Sequence, residues 1–445
     1  MLDIRFIREN ADLVAEKSKQ KGYEVDIQKL LELDNNRREL LTEIEQVRAD
    51  RNRLSTIVVG EQPSSHKIEE GKKLKSELAN LEDQLTSVND EFLKLLKAVP
   101  NMPSDDVPVG ISEAENKVTK EQGDKPNFDF KPKTHWEIAE GRGLIDKVRA
   151  AKVAGSRFAY IKGDLVKLQF ALVQFVFDTL TSEETLKGII DKTGLQNISP
   201  KPFTPVLPPL MIRTEVFDAM DRLEPREERY KVGSEEDNLW LQGSAEHTLG
   251  PMYMGEIIDI DELPIRLIGY ASSFRREAGT YGKDTEGIIR MHQFDKLEME
   301  SFVNSEGGML EHLFFVAIQE YIMQQLKIPY RVLQKCTADI GKPNARGIDL
   351  EAWLPGAGNY LETHTADFMT DYQARRLGIR NKVLNTGGQE HDTKSFPTNF
   401  VHTNDATALA PGRAIVAIIE NYQKPDGSVE IPEILRTYMH GQTSL

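Results

Sequence analysis

The chain has 445 residues, and its 56 Lys and Arg against 71 Asp and Glu give a formal net charge of −15. This length favours two or three structural units, and the negative charge disfavours indiscriminate binding to a polyanion, so any contact with nucleic acid must be local. The single cysteine, Cys336, excludes an internal disulfide and a cysteine-rich zinc site, and we expect it to be buried. The N-terminal residues lack a signal-peptide pattern and about 18 apolar residues never run together, which predicts a cytoplasmic protein without a membrane span.

The first hundred residues predict a pair of long helices. Apolar residues recur at steps of three and four over residues 33–54 and again over residues 74–99, with charged residues between them. A polar break at residues 55–66 separates the two stretches. Because each stripe can be buried only against the other, we predict an antiparallel two-helix coiled coil over about residues 27–99, ~40 to 50 Å long. Periodicity alone leaves open whether it serves for dimerisation or as a spacer.

Residues 101–125 are rich in proline, glycine and acids, which is typical of a linker. Beyond them, short β-like runs alternate with turns, as in PFTPVLPPLMI, PIRLIGYASSF, GIIRMHQFDKLEME and IDLEAWLP. These runs predict an antiparallel β-sheet flanked by helices. The predicted fold class is therefore α+β, with the coiled-coil arm first and the sheet domain after it.

The residues with the most chemistry lie between Pro264 and Glu300. Two strand patterns flank a loop that contains Gly279, Gly282 and Gly287. Because side chains alternate along a strand, each strand should gather polar groups on one face, namely Arg275 and Glu277 on the first, and Arg290, His292, Phe294, Lys296 and Glu298 on the second. A surface sheet with ordinary cross-strand ion pairs would show the same alternation.

The dimensions of this face favour a binding site. Phe294 and Glu298 are four strand residues apart, or about 13 Å, which is about the length of an aminoacyl adenylate. An aromatic ring can stack on adenine, an arginine can clamp a phosphate, and a glutamate can hold an ammonium group. Further along, Pro411-Gly412-Arg413 opens a helical pattern, which places Arg413 near a positively polarised helix N-terminus.

Several stretches resemble the class II aminoacyl-tRNA synthetases, in the form found in seryl-tRNA synthetases. FRREAG and RMHQFDKLE look like motif 2 of that class, FTPVLPPL resembles motif 1, and DATALAPGRAIVAIIENYQ resembles motif 3. The leader MLDIRFIRENADLV, the predicted hairpin and the closing segment PDGSVEIPEILRTYM also match. The likeness covers nearly the whole chain, and the order and spacing of the motifs together are highly specific.

The resemblance implies an ATP site. Arg275 would contact the α-phosphate and Arg413 the γ-phosphate, and these two are the implied catalytic residues. Phe294 would stack on adenine, Glu277 would contact the adenylate moiety, and Glu362 would bind magnesium together with ATP. The full implied ATP-binding set is Arg275, Arg276, Glu277, Arg290, Phe294, Glu362, Thr363, His364, Thr365 and Arg413.

The resemblance also implies a serine site. Ser244, Ala245 and Glu246 stand where the family usually has Thr-Ala-Glu. Glu298 would bind the α-ammonium group, and Thr407 would read the substrate hydroxyl. The sequence departs from the family pattern at three places: Arg276 in place of a frequent Ser, Asp405 in place of a usual Asn, and Thr363 to Phe368 in place of a serine-rich stretch with an Asn. None of these changes removes a group that the chemistry needs.

The implied enzyme is a ligase that activates L-serine with ATP and Mg²⁺ and transfers the seryl group to tRNA(Ser), with tRNA(Sec) as a further expected substrate. Residues 1–103 would form a tRNA-binding domain and residues 104–445 the catalytic domain, and Pro209 of motif 1 would lie at the interface of a homodimer. One alternative is a related ligase that loads an amino acid onto a carrier protein, although known relatives of that kind lack the arm. The other is a non-catalytic coiled-coil paralogue, which loss of Arg275, Glu298 or Arg413 would have favoured.

Overall fold

The structure, a computed structural model, describes residues 1–56, 65–234, 236–277, 287–383 and 397–445. The chain forms two units, Met1–Met102 and Pro103–Leu445. Among the described residues, no helix is both long and apolar enough to span a membrane.

The first unit is helical, and it contains the predicted hairpin. Its helices are α1 (Ile4–Glu9), α2 (Ala11–Gln20), α3 (Ile27–Thr56) and α4 (Ser65–Ala98). Helices α3 and α4 run antiparallel, since Arg48 pairs with Glu82 at 2.7 Å and the Arg37 guanidinium lies 4.7 Å from the centre of the Phe92 ring. Ile44, Val47 and Leu78 form a buried seam between the two helices. The predicted coiled coil is thus confirmed, while most of its predicted break falls outside the described residues.

The second unit consists of helices around β-sheets. Its helices are α5 (His135–Gly141), α6 (Lys147–Ala154), α7 (Asp164–Leu180), α8 (Glu183–Thr193), α9 (Thr214–Ala219), α10 (Glu246–Leu249), α11 (Gly308–Gln325), α12 (Tyr372–Leu377) and α13 (Pro411–Asn421). Its strands are β1 (Lys117–Gln122), β2 (Ile145–Asp146), β3 (Tyr160–Ile161), β4 (Thr204–Val206), β5 (Met211–Arg213), β6 (Lys231–Val232), β7 (Leu239–Leu241), β8 (Ile257–Ile258), β9 (Ile265–Phe274), β10 (Gln293–Val303), β11 (Tyr330–Gln334), β12 (Arg346–Leu354), β13 (Asn359–Thr370), β14 (Arg380–Lys382), β15 (Thr398–Phe400) and β16 (His402–Leu409).

The main sheet has the strand order β1-β11-β12-β13-β16-β10-β9-β4. Neighbouring strands are antiparallel except for β4 and β9, which are parallel. Helices α7, α8, α11 and α13 share one large apolar core with the sheet, to which β10 contributes Leu297 and Met299. Glu298 and Glu300 alternate with these two residues along β10 and therefore lie on the other face of the sheet. The predicted α+β fold is confirmed, and its polar face is the one that carries the site.

Two expectations about local structure were wrong. Strand β9 ends at Phe274 and β10 begins at Gln293, so Arg275, Glu277, Arg290 and His292 lie outside the strands. Glu277 takes a φ of 50°, which is incompatible with an extended strand, and Gly279 and Gly282 lie outside the described residues. The strand alternation therefore applies only to Phe294, Lys296 and Glu298.

The second correction concerns the predicted linker over residues 101–125. Within it, β1 pairs with β11 at the edge of the main sheet. The sequence KVTKEQ gives no apolar alternation because every residue of this edge strand is exposed. Cys336 is fully buried, as expected, and its thiol lies 3.2 Å from the carbonyl oxygen of Ser112.

A buried ion pair joins the sheet to its core helices. Arg266 on β9 forms a two-pronged contact with Glu311 on α11, and its guanidinium also donates to the carbonyl oxygens of Ser199 and Lys201, at 2.7 and 2.8 Å. The Arg266 side chain is fully buried and that of Glu311 is 3% exposed. The pair therefore satisfies polar groups in three segments that would otherwise be buried without partners.

We expect Glu311→Ala to lower the free energy of unfolding by about 3 to 5 kcal/mol, because it leaves a buried guanidinium without its counter-charge. Urea denaturation of the purified protein measures this loss. The matched control is Glu433→Ala, which removes the exposed Lys327–Glu433 pair and should cost at most about 1 kcal/mol. Equal losses in the two variants would contradict the structural role given to Arg266.

Candidate active site

A cleft of about 690 Å³, including its open mouth, lies where β10, β13 and β16 meet the first turn of α13. Nine residues of the predicted ATP and serine sites line it: Arg275, Glu277, Arg290, Phe294, Glu362, Thr363, Thr365, Thr407 and Arg413. Ile288, Ile289 and Met291 add apolar walls. The cleft thus combines an aromatic surface with several cations, which suits a flat base joined to phosphates.

One end of the cleft is formed by Arg413 in the first turn of α13. Its guanidinium donates to the carbonyl oxygen of Glu362 at 2.7 Å and to the Glu362 carboxylate at 2.9 Å. Desolvation opposes ionisation of Glu362, but Arg413 and then Lys335 outweigh it and lower the pKa of this carboxyl. Since the Glu362 side chain is 47% exposed, both groups can be reached by a solute. A guanidinium at a helix N-terminus is well suited to phosphate oxygens.

The cleft also contains an aromatic ring. The Arg275 guanidinium lies 5.5 Å from the centre of the Phe294 ring, and its Nε donates to the Gly243 carbonyl oxygen at 2.9 Å. Arg290 donates to the Glu277 carboxylate at 2.8 Å. These contacts fix two cations beside one apolar face.

The predicted serine-binding residues gather around Lys296, which itself lines the cleft together with Thr407. The Lys296 ammonium group donates to Ser244 at 3.1 Å and pairs with Glu298 at 2.7 Å, while Glu246 lies 3.9 Å away. Ser244 donates to Glu298 at 3.3 Å, and Thr407 lies opposite Glu298 in the β10–β16 ladder. Ala245 is fully buried next to Ser244. Lys296 had no predicted role, although its strand position between Phe294 and Glu298 could have indicated one.

Burial sets the charges of this cluster. Desolvation raises the pKa of Glu298 to about 7, although Lys296 acts in the opposite direction. Desolvation would also raise the pKa of Glu246, but nearby positive charges, of which Lys296 has the largest effect, keep this pKa well below its usual range. Within the described residues, the Oε1 atom of Glu298 is buried and accepts no hydrogen bond. A cationic ligand could satisfy that oxygen and hold Glu298 in its ionised form.

A second group of acids lies two residues beyond Glu298 along β10, on the same face of the sheet. Glu300 on β10 faces Asp405 on β16, which in turn faces Asp367 on β13. Desolvation raises the pKa values of both Glu300 and Asp405 well above their usual range, although Arg222 donates to Asp405 at 3.1 Å. Both Glu300 carboxyl oxygens lack hydrogen-bond partners among the described residues, so the neutral acid is the favoured form. Strand alternation could have revealed Glu300, whereas no local pattern pointed to Arg222.

Two predicted ATP-binding residues lie outside the cleft. The Arg276 guanidinium faces the ring of Tyr230 at 5.8 Å, and His364 is buried with its Nδ1 atom 2.8 Å from the Thr363 hydroxyl. Burial lowers the pKa of His364 to about 4, so the ring is neutral at physiological pH. Neither side chain is among those that line the cleft, although His364 contacts Thr363, which does line it. Pro209 lies far from them in the chain, in the exposed turn between β4 and β5.

In the part of the chain that the structure describes, no three His, Cys, Asp or Glu side chains form a metal-ligand cluster. Glu362 nevertheless lies in the cleft together with Thr365, so a carboxylate and a hydroxyl oxygen line the same cavity. Mg²⁺ is commonly bound by one or two carboxylates together with phosphate oxygens of a substrate. These two side chains fit such a shared site.

Comparisons with known proteins show which family the chain resembles. The family described as seryl-tRNA synthetase N-terminal domain matches residues 1–103, and the tRNA synthetase class II core domain (G, H, P, S and T) matches residues 230–422. The serine–tRNA ligase of Thermodesulfovibrio yellowstonii is 38% identical over 447 residues, which is 99% of each chain. That of Citrifermentans bemidjiense is 38% identical over 448 residues, again 99% of each chain.

Solved structures are similar over the same extent. Seryl-tRNA synthetase from Pyrococcus horikoshii, complexed with ATP, is 34% identical, with a TM-score of 0.86 over 100% of this chain and 99% of that chain. The cytoplasmic enzyme from Naegleria fowleri, in complex with AMP, is 26% identical, with a TM-score of 0.83 over 100% and 98% of the two chains. Both units and the order of the motifs are thus shared across the full length, and the chain belongs to the seryl-tRNA synthetase family.

Proposed function

We propose that this protein is a serine–tRNA ligase, which activates serine with ATP and transfers the seryl group to tRNA. The observation that supports this proposal best is the grouping of three side chains. Phe294 and Glu298 lie on one face of β10, and the Arg275 guanidinium lies 5.5 Å from the centre of the Phe294 ring. A ring that can stack on adenine, a guanidinium that can bind a phosphate and a buried carboxylate that can bind an ammonium group match the three parts of an aminoacyl adenylate. The retained arm and the intact set of charged residues disfavour the carrier-protein ligase and the non-catalytic paralogue.

In this mechanism, the serine carboxylate attacks the α-phosphorus of ATP in line and pyrophosphate leaves. Arg275 binds the α-phosphate and Arg413 the γ-phosphate, so that the two guanidinium groups neutralise charge as it develops. Mg²⁺ bound with ATP by Glu362 and Thr365 would supply further neutralisation of the phosphates. The protein forms no covalent intermediate, and its contribution is to position the reactants and balance their charge.

The amino-acid end of the site accounts for the choice of serine. Glu298 binds the α-ammonium group, while Ser244 and Glu246 complete its polar surroundings. Thr407, which is 2% exposed, reads the side-chain hydroxyl. A buried group that must hydrogen-bond a hydroxyl is left unpaired when alanine binds, and this loss is the physical origin of strong discrimination.

The hairpin is proposed to bind the tRNA. Its two helices carry nearly balanced charge overall, but the charge is unevenly placed. Residues 46–56 and 65–76, near the turn, carry seven Lys and Arg against three Asp and Glu. Residues 27–45 and 77–98 carry five against ten. The basic end offers local contacts to phosphates that the whole chain, at −15, does not.

A homodimer is also proposed, with Pro209 at its interface. Support comes from exposed apolar side chains around this position, because Leu207, Leu210 and Met211 are 80%, 39% and 46% exposed. Apolar residues clustered in one segment of surface are typical of an interface. In the proposed dimer, the arm of one subunit would present tRNA to the active site of the other.

We expect the purified protein to catalyse serine-dependent exchange of pyrophosphate into ATP. Alanine should be poorer by a factor of about 10⁴ in kcat/KM, because it leaves the hydroxyl-reading groups unpaired, and threonine should also be far poorer. Thr407→Val, which keeps the shape but removes the hydroxyl, should reduce the preference for serine over alanine. Absence of exchange with all three amino acids would contradict the proposal.

The KM for serine should depend on pH, because Glu298 must be ionised to bind an ammonium group. With the pKa of Glu298 raised to about 7, the neutral acid predominates below that pH, so KM should fall as the pH rises. We expect KM for serine at pH 6 to be about tenfold higher than at pH 8. Exchange rates at saturating ATP measure this profile, and the KM for ATP is the internal control. A flat serine profile would exclude Glu298 as the titrating ligand.

Replacing residues 41–88 by a short glycine-serine linker should spare the exchange reaction and abolish aminoacylation of tRNA(Ser). The truncation keeps the contact between Arg37 and Phe92 at the base of the hairpin. In the full chain, Lys72→Glu with Lys73→Glu should raise the KM for tRNA, whereas Lys94→Glu, outside the basic end, should not. Charging by the truncated protein would refute the role of the hairpin, and the same assay with tRNA(Sec) tests the second expected substrate.

A further inference from the structure

One segment contacts the motif 2 stretch, here residues 274–298, at two points that flank residues 278–286, without contributing any motif of its own. Residues 133–161, which include α5, α6, β2 and β3, reach Glu277 through Arg157 and reach Gly287 through His135. Between Glu277 and Gly287, residues 278–286 lie outside the described part of the chain. The two contact points therefore lie on the described residues that flank this gap.

Arg157 holds the first of these points. Its guanidinium donates to the carbonyl oxygen of Glu277 at 2.8 Å, and its own carbonyl oxygen accepts from the amide of His292 at 3.0 Å. Arg157 adopts a φ of 59°, in the left-handed region that non-glycine residues rarely adopt. Such a conformation persists only where surrounding contacts determine it, and it is common at functional sites.

His135 is held rigidly at the second point. Its amide donates to the Glu420 carboxylate at 3.0 Å, and its Nδ1 atom lies 3.1 Å from the same oxygen. The other Glu420 oxygen accepts from the amides of Gly356 and Ala357, at 2.9 and 3.1 Å. Glu420 is fully buried and His135 is 5% exposed. The end of α13, the turn between β12 and β13, and the start of α5 thus fix the orientation of the imidazole ring.

The other edge of this ring touches the chain at Gly287. A Cβ atom built on Gly287 would lie only 1.9 Å from Nε2 of His135, and Gly287 has a φ of 65°. Only glycine fits both conditions. The next residues, Ile288 and Ile289, line the cleft, and Arg290 pairs there with Glu277 at 2.8 Å. The ring therefore limits how closely the chain at Gly287 can pack against α5, just before the residues that line the cleft.

We propose that His135 and Arg157 are positioning residues for ATP. Arg157 holds the chain at Glu277 and His135 holds it at Gly287, so that Glu277 and Arg290 meet in the cleft. This inference deepens the proposed function and rests on it. Ser244, Lys296 and Glu298 are placed by β10 and by the segment before α10. Loss of either positioning residue consequently impairs use of ATP and leaves serine recognition nearly intact.

The test compares His135→Ala and Arg157→Ala in the full chain with wild type by pyrophosphate exchange, normalised to titrated active sites. A misplacement of about 1 Å should raise KM for ATP, or lower kcat, by about 10- to 100-fold in each variant. The KM for serine should change by less than about twofold, because its groups are not displaced. Arg149→Ala is the matched control, since Arg149 lies in the same segment and its side chain is 76% exposed.

Conservative variants separate positioning from stability. His135→Asn retains a donor for Glu420 but lacks the ring edge that touches Gly287, so it should restore the melting temperature without restoring the KM for ATP. Arg157→Lys should recover part of the activity. Gly287→Ala should impair the wild type about tenfold more than it impairs His135→Ala, because removal of the ring relieves the clash.

An unchanged KM for ATP and unchanged kcat in both alanine variants would overturn the inference, as would full recovery by His135→Asn. If wild type shows no serine-dependent exchange, the proposed enzymatic function fails instead. In that event, calorimetric titration with ATP still tests the positioning role. Weaker ATP binding by His135→Ala and Arg157→Ala than by Arg149→Ala would support it, and equal affinities would refute it.

Discussion

The proposed amino-acid end of the site depends on one buried ammonium group. Lys296 lies 2.7 Å from Glu298 and 3.9 Å from Glu246, on a face of the sheet from which water is largely excluded. Buried carboxylates remain ionised only beside a cation, and a buried lysine remains charged only beside carboxylates. One lysine neutralises one of these two acids, so the α-ammonium group of an amino acid would complete the charge balance. Without a ligand, the site therefore lacks one positive charge, and the ammonium group of its substrate would supply it.

The acids beneath this cluster act differently. Glu300 and Asp405 face each other across two strands, and burial raises the pKa values of both. Arg222 offsets part of the charge of Asp405, but Glu300 has no such partner among the described residues. Neutral acids can donate hydrogen bonds without adding charge. This second group of acids can thus support the serine pocket while leaving its net charge to Lys296, Glu246 and Glu298.

Much of this arrangement could be predicted from sequence, because strands and coiled coils impose strict periods on their side chains. The heptad stripes of α3 and α4 predicted the arm, and the spacing of Phe294 and Glu298 predicted the axis of the site. The same rule failed beyond the strand ends. Glu277 leaves the extended conformation at a φ of 50° although it is not a glycine and the first loop glycine, Gly279, comes two residues later. Periodicity also says nothing about which distant segment contacts a strand, so Arg222 and His135 could not be predicted.

The two ends of the proposed site differ in how their residues are held in place, because only one of them is built entirely on strand register. The amino-acid end is built on adjacent strands, where the hydrogen-bonded register places Glu298 opposite Thr407. Such a site is rigid, buried and able to reject an amino acid that leaves a polar group unpaired. The proposed ATP end takes Phe294 from β10 and Glu362 from β13, but Arg275, Glu277, Arg290 and Arg413 lie outside the strands, and the Arg413–Glu362 pair is partly exposed. Strand register cannot place these four residues, so contacts from outside the sheet must do so. The bonds of Arg157 to Glu277 and of Glu420 to His135 are contacts of this kind.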